Sequence, residues 1–111
     1  MNTVQLTGNL CRDLQLGKTE SGKSYLENTI GVTRDNKNAE GIYESDFINF
    51  VAYDSRADYL SRYAKKGDKI EICGRIRRDS WQSKDGSHKE KTYIVADKIQ
   101  ILTVRQKERD F

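Results

Sequence analysis

Five stretches of the chain alternate apolar and polar residues with a period of two, the signature of half-buried strands. In the first, Val4, Leu6, Gly8 and Leu10 alternate with Thr3, Gln5, Thr7 and Asn9. In the second, Leu26, Ile30 and Val32 share one face, with Asn28 as its odd polar member. The third sets Ile48, Phe50 and Ala52 against Phe47, Asn49, Val51 and Tyr53, so a core-facing side leaves two aromatics on the other. The fourth points Ile70, Ile72, Gly74 and Ile76 inward and Lys69, Glu71, Cys73, Arg75 and Arg77 outward. The last runs from Lys91 to Leu102, with Ile94, Ala96, Ile99 and Leu102 as anchors.

Turn residues separate these runs at Ser21-Gly22-Lys23, from Asp35 to Gly41, at Gly67-Asp68 and at Lys84-Asp85-Gly86. One segment has helical spacing instead. Asp54 or Ser55 is placed to cap a helix from Arg56 to Ala64, with Ala57, Leu60 and Ala64 on one face and Gly67 as its stop. Five strands with a short helix between the third and fourth predict an all-β chain, the five-stranded Greek-key barrel called the OB-fold. An open meander and a small sandwich fit the same element order.

At 111 residues one domain is expected. No apolar run approaches the ~20 residues of a membrane-spanning helix, and Met1-Asn2-Thr3-Val4 does not begin like a secretion signal. A cytoplasmic protein without membrane partners is expected. The two cysteines, Cys11 and Cys73, are expected to be reduced thiols, and with one histidine they fall short of a zinc site. Neither a metal nor a cofactor is expected. The net charge of +3 is unevenly spread: residues 1–64 carry 7 basic and 9 acidic groups, whereas residues 65–91 carry 9 and 5. That concentration suits a polyanion, although a solvated lysine-rich surface would read the same.

Catalytic readings fare poorly. Gly17 to Ser24 matches the G-x-x-x-x-G-K-S phosphate loop. That loop works only where a helix starts at the lysine, and here Lys23-Ser24 enters a strand-like alternation. A phosphate-loop ATPase is therefore rejected and the segment read as a hairpin turn. His88 lies in a polar loop without a nucleophile beside it, and Asp13, Asp46, Asp54 and Asp58 read as scattered surface carboxylates rather than a nuclease site.

The informative constellation is Arg75, Arg77, Arg78, Trp81, Lys84, Lys89 and Lys91, which straddle one hairpin with its tip at Ser83 to Gly86. Rings among cations suit single-stranded nucleic acid, because bases stack on the rings while phosphates follow the charge. Phe47 and Tyr53 add two rings. The competing readings are a hairpin-packing role for Trp81, and a second small core or subunit contact for Phe47 and Tyr53.

At this point the sequence resembles the bacterial single-stranded DNA-binding proteins. The resemblance runs from Met1 to about Leu102. It rests on Asn2-x-Val4-x-Leu6-x-Gly8-Asn9-Leu10 followed by Asp13, then Ser21-Gly22-Lys23, Asp46-Phe47-Ile48, Ala57, Lys66-Gly67-Asp68, Gly74-Arg75-Ile76, and Trp81 before Asp85-Gly86. It implies an OB-fold, a homotetramer, and coating of single-stranded DNA without sequence preference in replication, recombination or repair. Phe47, Tyr53 and Trp81 fall where that family stacks bases. Lys66, Arg75, Arg77 and Lys89 fall at or beside its phosphate contacts, and Tyr43 substitutes for an aromatic expected near Lys37. Leu14 stands where proline is usual and Asn28 where an apolar residue is.

The first strand falls where the family pairs its subunits, which implicates Thr3, Val4, Gln5, Leu6, Thr7 and Asn9. An uncharged edge also invites pairing on physical grounds. Residues 1–104 are expected to form the binding domain and residues 105–111 a short charged extension. Asp110-Phe111 faintly echoes the acidic tip through which typical members recruit enzymes, without the acidic run or linker. The rival function is a protein adaptor in a primosome-like assembly.

Overall fold

The computed structural model describes residues 1–104; the expected extension at 105–111 lies outside the described residues. In chain order the elements are β1 (Val4–Leu10), β2 (Gly17–Lys18), β3 (Ser24–Lys37), β4 (Tyr43–Tyr53), α1 (Ser55–Tyr63), β5 (Lys69–Gln82) and β6 (His88–Ile101). The five long strands join in the order β1-β5-β6-β4-β3, and β1 pairs back to β3 through Asn9–Gly31 and Leu10–Ile30. That last pairing closes the sheet into a barrel. All pairings are antiparallel except β4 with β6, at Phe50–Ile94 and Val51–Val95. This is the OB-fold. The added two-residue β2 pairs with β3, so the helix follows the fourth strand once β2 is counted.

The interior follows the predicted alternation. Leu26, Ile30, Phe50, Leu60, Ile70 and Ile72 are the largest fully buried side chains. Ala57 and Leu60 bring one face of α1 into the same cluster. The inward polar residue Asn28 is buried, and both ends of its amide are hydrogen-bonded. Its Oδ1 accepts from the Arg12 and Thr29 amides at 3.2 and 2.7 Å, and its Nδ2 donates to the Arg12 carbonyl at 3.1 Å. A buried amide is tolerated only when so satisfied. Here it also holds the segment after β1 against β3.

Two glycines let strands approach closely where the barrel closes and coils. A Cβ on Gly8 would lie 2.2 Å from the Gly31 carbonyl oxygen, and one on Gly74 would lie 2.1 Å from that of Val95. Gly74 sits at a bulge in the β5–β6 pairing, where an extra residue sharpens the bend.

Several expectations are corrected. Ile76 shares the inward side with its opposed partner Ile94, yet it is 47% exposed where Ile94 is 4%, because β1 stops pairing with β5 at Gly74 and leaves that edge without a neighbouring strand. Asp54 adopts φ 57°, and its side chain makes no capping bond. Its backbone instead donates to the Ser24 carbonyl and accepts from the Asp58 amide. Gly67, at φ 91°, does not end α1. The helix ends at Ala64, and the Gly67 amide instead donates to the Leu10 carbonyl at 2.8 Å. The turn expected from Asp35 falls later, because β3 runs to Lys37 with an irregularity after Thr33. The phosphate-loop match is a hairpin: Ser24 opens β3, not a helix.

Candidate nucleic-acid interface

Directly opposed residues of an antiparallel pair point to the same side, so register sorts the β5–β6 ribbon into two faces. One face carries Arg75–Val95, Arg77–Tyr93, Asp79–Lys91 and Trp81–Lys89. The other carries Ile76–Ile94, Arg78–Thr92, Ser80–Glu90 and Gln82–His88. The predicted cluster is therefore split. Arg75, Arg77, Trp81, Lys89 and Lys91 stand together, and Arg78 points the opposite way, ion-paired with Glu90. Lys84 belongs to the tip between the strands.

The Trp81 face continues onto the outside of the barrel. The Val51–Val95 pairing joins it to β4, where Phe47, Asn49 and Tyr53 share the face of Val51. Phe47 is 70%, Trp81 48% and Tyr53 38% exposed, so none is a core residue of this chain. Val51, read as outward, does point outward, yet it is buried because it forms the floor of a cavity.

That cavity, about 460 Å³, has Arg12, Glu27, Asn49, Tyr53, Lys91 and Tyr93 among its lining residues. Tyr93 is the main residue that the sequence reading missed. Its hydroxyl donates to Asp79 Oδ2 at 2.7 Å, while Arg77 Nε donates to Asp79 Oδ1 at 3.3 Å. Burial first, and then the bond to the Asp79 carboxylate, hold the Tyr93 phenol above its usual pKa. The signal was present in Lys89, Lys91 and Tyr93, which recur at a period of two on the charged face.

Charge on this surface is less free than its count suggests. Arg75 pairs with Asp97 at 2.7 Å, Arg77 with Asp79 at 3.3 Å, and Lys91 with Glu27 at 4.0 Å. Among the described residues Lys66, Lys84 and Lys89 have no carboxylate partner within ion-pair distance. Lys66 is not brought to the cluster. It lies in the turn before Lys69, and β5 rises ~3.3 Å per residue from there to Trp81, roughly 40 Å of strand. Tyr43 stands apart on the β3–β4 hairpin, 52% exposed, with the Lys37 ammonium 5.6 Å from its ring centre.

At the tip, the Asp85 carboxylate accepts from the Ser87 amide at 2.9 Å and from the Ser83 and Ser87 hydroxyls. The Ser83 bond first, and then those from Ser87, bring its pKa down to about 2. Asp13, Asp46, Asp54 and Asp58 do not converge; Asp46 is taken by Arg34 at 2.8 Å. Among the described residues no group of three His, Cys, Asp or Glu side chains is placed to hold a metal. Cys11 and Cys73 are free thiols.

β1 is bound on one edge and largely open on the other. Val4 to Asn9 pair with β5, but only Asn9 and Leu10 pair with β3. Thr3, Gln5 and Thr7 are exposed, whereas Val4 and Leu6 pack against the core. Asn9 is exposed too, with its amide donated to the Gly67 carbonyl at 3.0 Å.

A closed OB barrel carrying rings and cations along one continuous outer face defines an OB-fold protein of the nucleic-acid-binding kind. The chain belongs to the single-strand binding protein family, whose pattern it matches over residues 1–102. It is 39% identical over 105 residues to single-stranded DNA-binding protein 1 of Streptococcus pyogenes, covering 95% of this chain and 81% of that protein. It is 38% identical over 105 residues to the single-stranded DNA-binding protein of Streptococcus mutans, covering 95% and 64%. Against single-stranded DNA-binding protein 1 of Staphylococcus aureus the identity is 35% over 102 residues, covering 92% and 65%. The chain thus spans about two thirds of the length of two of these relatives and four fifths of the third.

Proposed function

We propose that this chain is a non-catalytic protein that binds and coats single-stranded DNA in the cytoplasm during replication, recombination or repair. Bases stack on Phe47, Tyr53 and Trp81, and phosphates meet Lys84, Lys89, Lys91, Arg75 and Arg77. Stacking accepts every base, because each has a π-face, so this mode does not require a particular sequence. Tyr43 and Lys66 serve a strand that extends beyond the central face, over the β3–β4 hairpin and the turn before β5. Two copies pair through the open edge of β1, and two such dimers form a tetramer.

The observation that carries this reading is the placement of Trp81 opposite Lys89 on a face that runs without a break to Tyr53 and Phe47. Fluorescence anisotropy of a labelled oligonucleotide tests it. Single strands bind, an equal duplex binds far less, and Trp81→Ala loses roughly 1–3 kcal/mol per stacked base without unfolding. Equal binding of duplex and single strand would refute it. An adaptor, the rival reading, would bind neither.

A further inference from the structure

The cavity between β3, β4 and β6 has features that a plain stacking surface does not need. Its floor, Val51, is only 4% exposed and apolar. Two phenol rings, Tyr53 and Tyr93, line it together. Its volume of about 460 Å³ lies within the ~300–1,000 Å³ typical of small-ligand pockets.

The polar groups at this cavity are unequally committed. Asp79 accepts from Tyr93 on one oxygen and from Arg77 on the other, so it braces the Tyr93 ring and is the more committed of the two carboxylates at the cavity. Asn28 is held by three bonds to backbone groups. Asn49 accepts the Thr29 hydroxyl on Oδ1 at 2.8 Å, which leaves its Nδ2 donors for the cavity. Glu27 has only Lys91, at 4.0 Å from Oε2. That separation exceeds a hydrogen bond, so both Glu27 oxygens still have acceptor capacity.

From this arrangement we propose that the cavity receives one nucleobase and favours bases carrying an exocyclic amino group, with Glu27 accepting from that group and Asn49 donating to an adjacent ring nitrogen or carbonyl. Carboxylates accept readily from the cytosine amino group. Uracil and thymine meet a carboxylate with a single N–H flanked by two carbonyl oxygens, whose partial charge repels it. Lys91, at the rim beside Glu27, takes the phosphate of the same nucleotide. The inference deepens the single-stranded DNA reading and rests on it: most of the surface is indifferent to base identity, and this one pocket adds a bias in composition.

The test compares equilibrium affinities for 35-nucleotide dC and dU strands, whose bases differ only at the amino and imide positions. Wild type and Glu27→Gln are measured at one salt concentration, with thermal melts to confirm that the exposed, isosteric change leaves the fold intact. The dC-to-dU affinity ratio is expected to fall by about five- to tenfold in Glu27→Gln, because the amide oxygen accepts from the amino group more weakly than a carboxylate and the new amide NH2 can donate to a uracil carbonyl. A ratio that stays the same while both affinities rise would show that Glu27 acts only as a repelling charge, and would overturn the proposal. So would an unchanged ratio with unchanged affinities. Failure of the wild type to bind either strand would instead defeat the DNA-binding reading, and the pocket with it.

Discussion

Trp81 and Lys89 face each other across the β5–β6 ribbon as a directly opposed pair, so a ring and an ammonium leave the same side of the sheet together. Their neighbours on that side, Asp79–Lys91 and Arg77–Tyr93, repeat the theme of one cation per rung. A flexible strand lying along the ribbon meets a stacking surface and a phosphate partner at the same step. Unlike Arg75, Arg77 and Lys91, Lys89 gives up no carboxylate when a phosphate arrives.

That difference predicts how salt should act. Each phosphate contact on a single strand contributes a slope of ~0.7 to the dependence of log affinity on log salt. Lys89→Ala should flatten the slope by about that amount. Arg78→Ala, on the opposite face and paired with Glu90, should leave the slope nearly unchanged. Binding isotherms at three or four salt concentrations check both variants, and equal effects would mean that the two faces are not distinguished.

Gly8 should not accept a side chain. A Cβ there would sit 2.2 Å from the Gly31 carbonyl oxygen, a backbone atom that cannot rotate aside. Gly8→Ala should therefore destabilise the barrel by about 1–3 kcal/mol, the usual cost of overpacking. Urea denaturation of the variant against the parent measures this. Gly86→Ala would report something different: it has nothing within 4 Å, and its φ of 85° makes strain the cost instead.

Acid should loosen the hairpin tip late. Asp85 has a folded pKa of about 2, below its ordinary value of 3.8. A lowered carboxylate pKa contributes stability above the unfolded value and loses it as pH falls through the folded one. The stability contributed by the Ser83–Asp85–Ser87 bonds should therefore be complete above about pH 4 and be lost as pH falls from about 4 through 2, with half of the Asp85 carboxylate protonated near pH 2. A carboxyl-carbon NMR titration of Asp85 should give a midpoint near 2. A midpoint near 3.8 would mean that the hydroxyl contacts do not form in solution.

The β1 edge predicts assembly. Lysines added at Gln5 and Thr7 together place charge beside an edge that lacks it, which is how natural strands block pairing. Light scattering of the parent should give a tetramer, and of the double variant a smaller species. A parent mass near 12.8 kDa, or no change in the variant, would remove β1 from the interface.

Much of the barrel was legible because its inner face obeys strict alternation: Leu26 and Ile30, Phe50 and Ala52, and Ile70 and Ile72 all went where period two sent them. Alternation names a face but not what covers it. Hence Val51 points outward and is still buried, and Ile76 shares a side with buried Ile94 and is still exposed. Cross-strand register is equally hidden in a linear pattern. The basic cluster could be counted from the sequence, but only pairing shows that Arg78 leaves it and that Asp79, Asp97 and Glu27 occupy three of its members. Tyr93 escaped because its meaning depends on Asn49 and Val51, more than forty positions earlier in the chain.

Trp81 is the only tryptophan in the chain, so its fluorescence reports directly on the proposed interface. Titration with poly(dT) at two salt concentrations is the most direct test of the account. Stacking predicts strong quenching that saturates at low salt, with an affinity that falls steeply at the higher salt. A Trp81 signal that does not change as poly(dT) is added, or an affinity indifferent to salt, would contradict it.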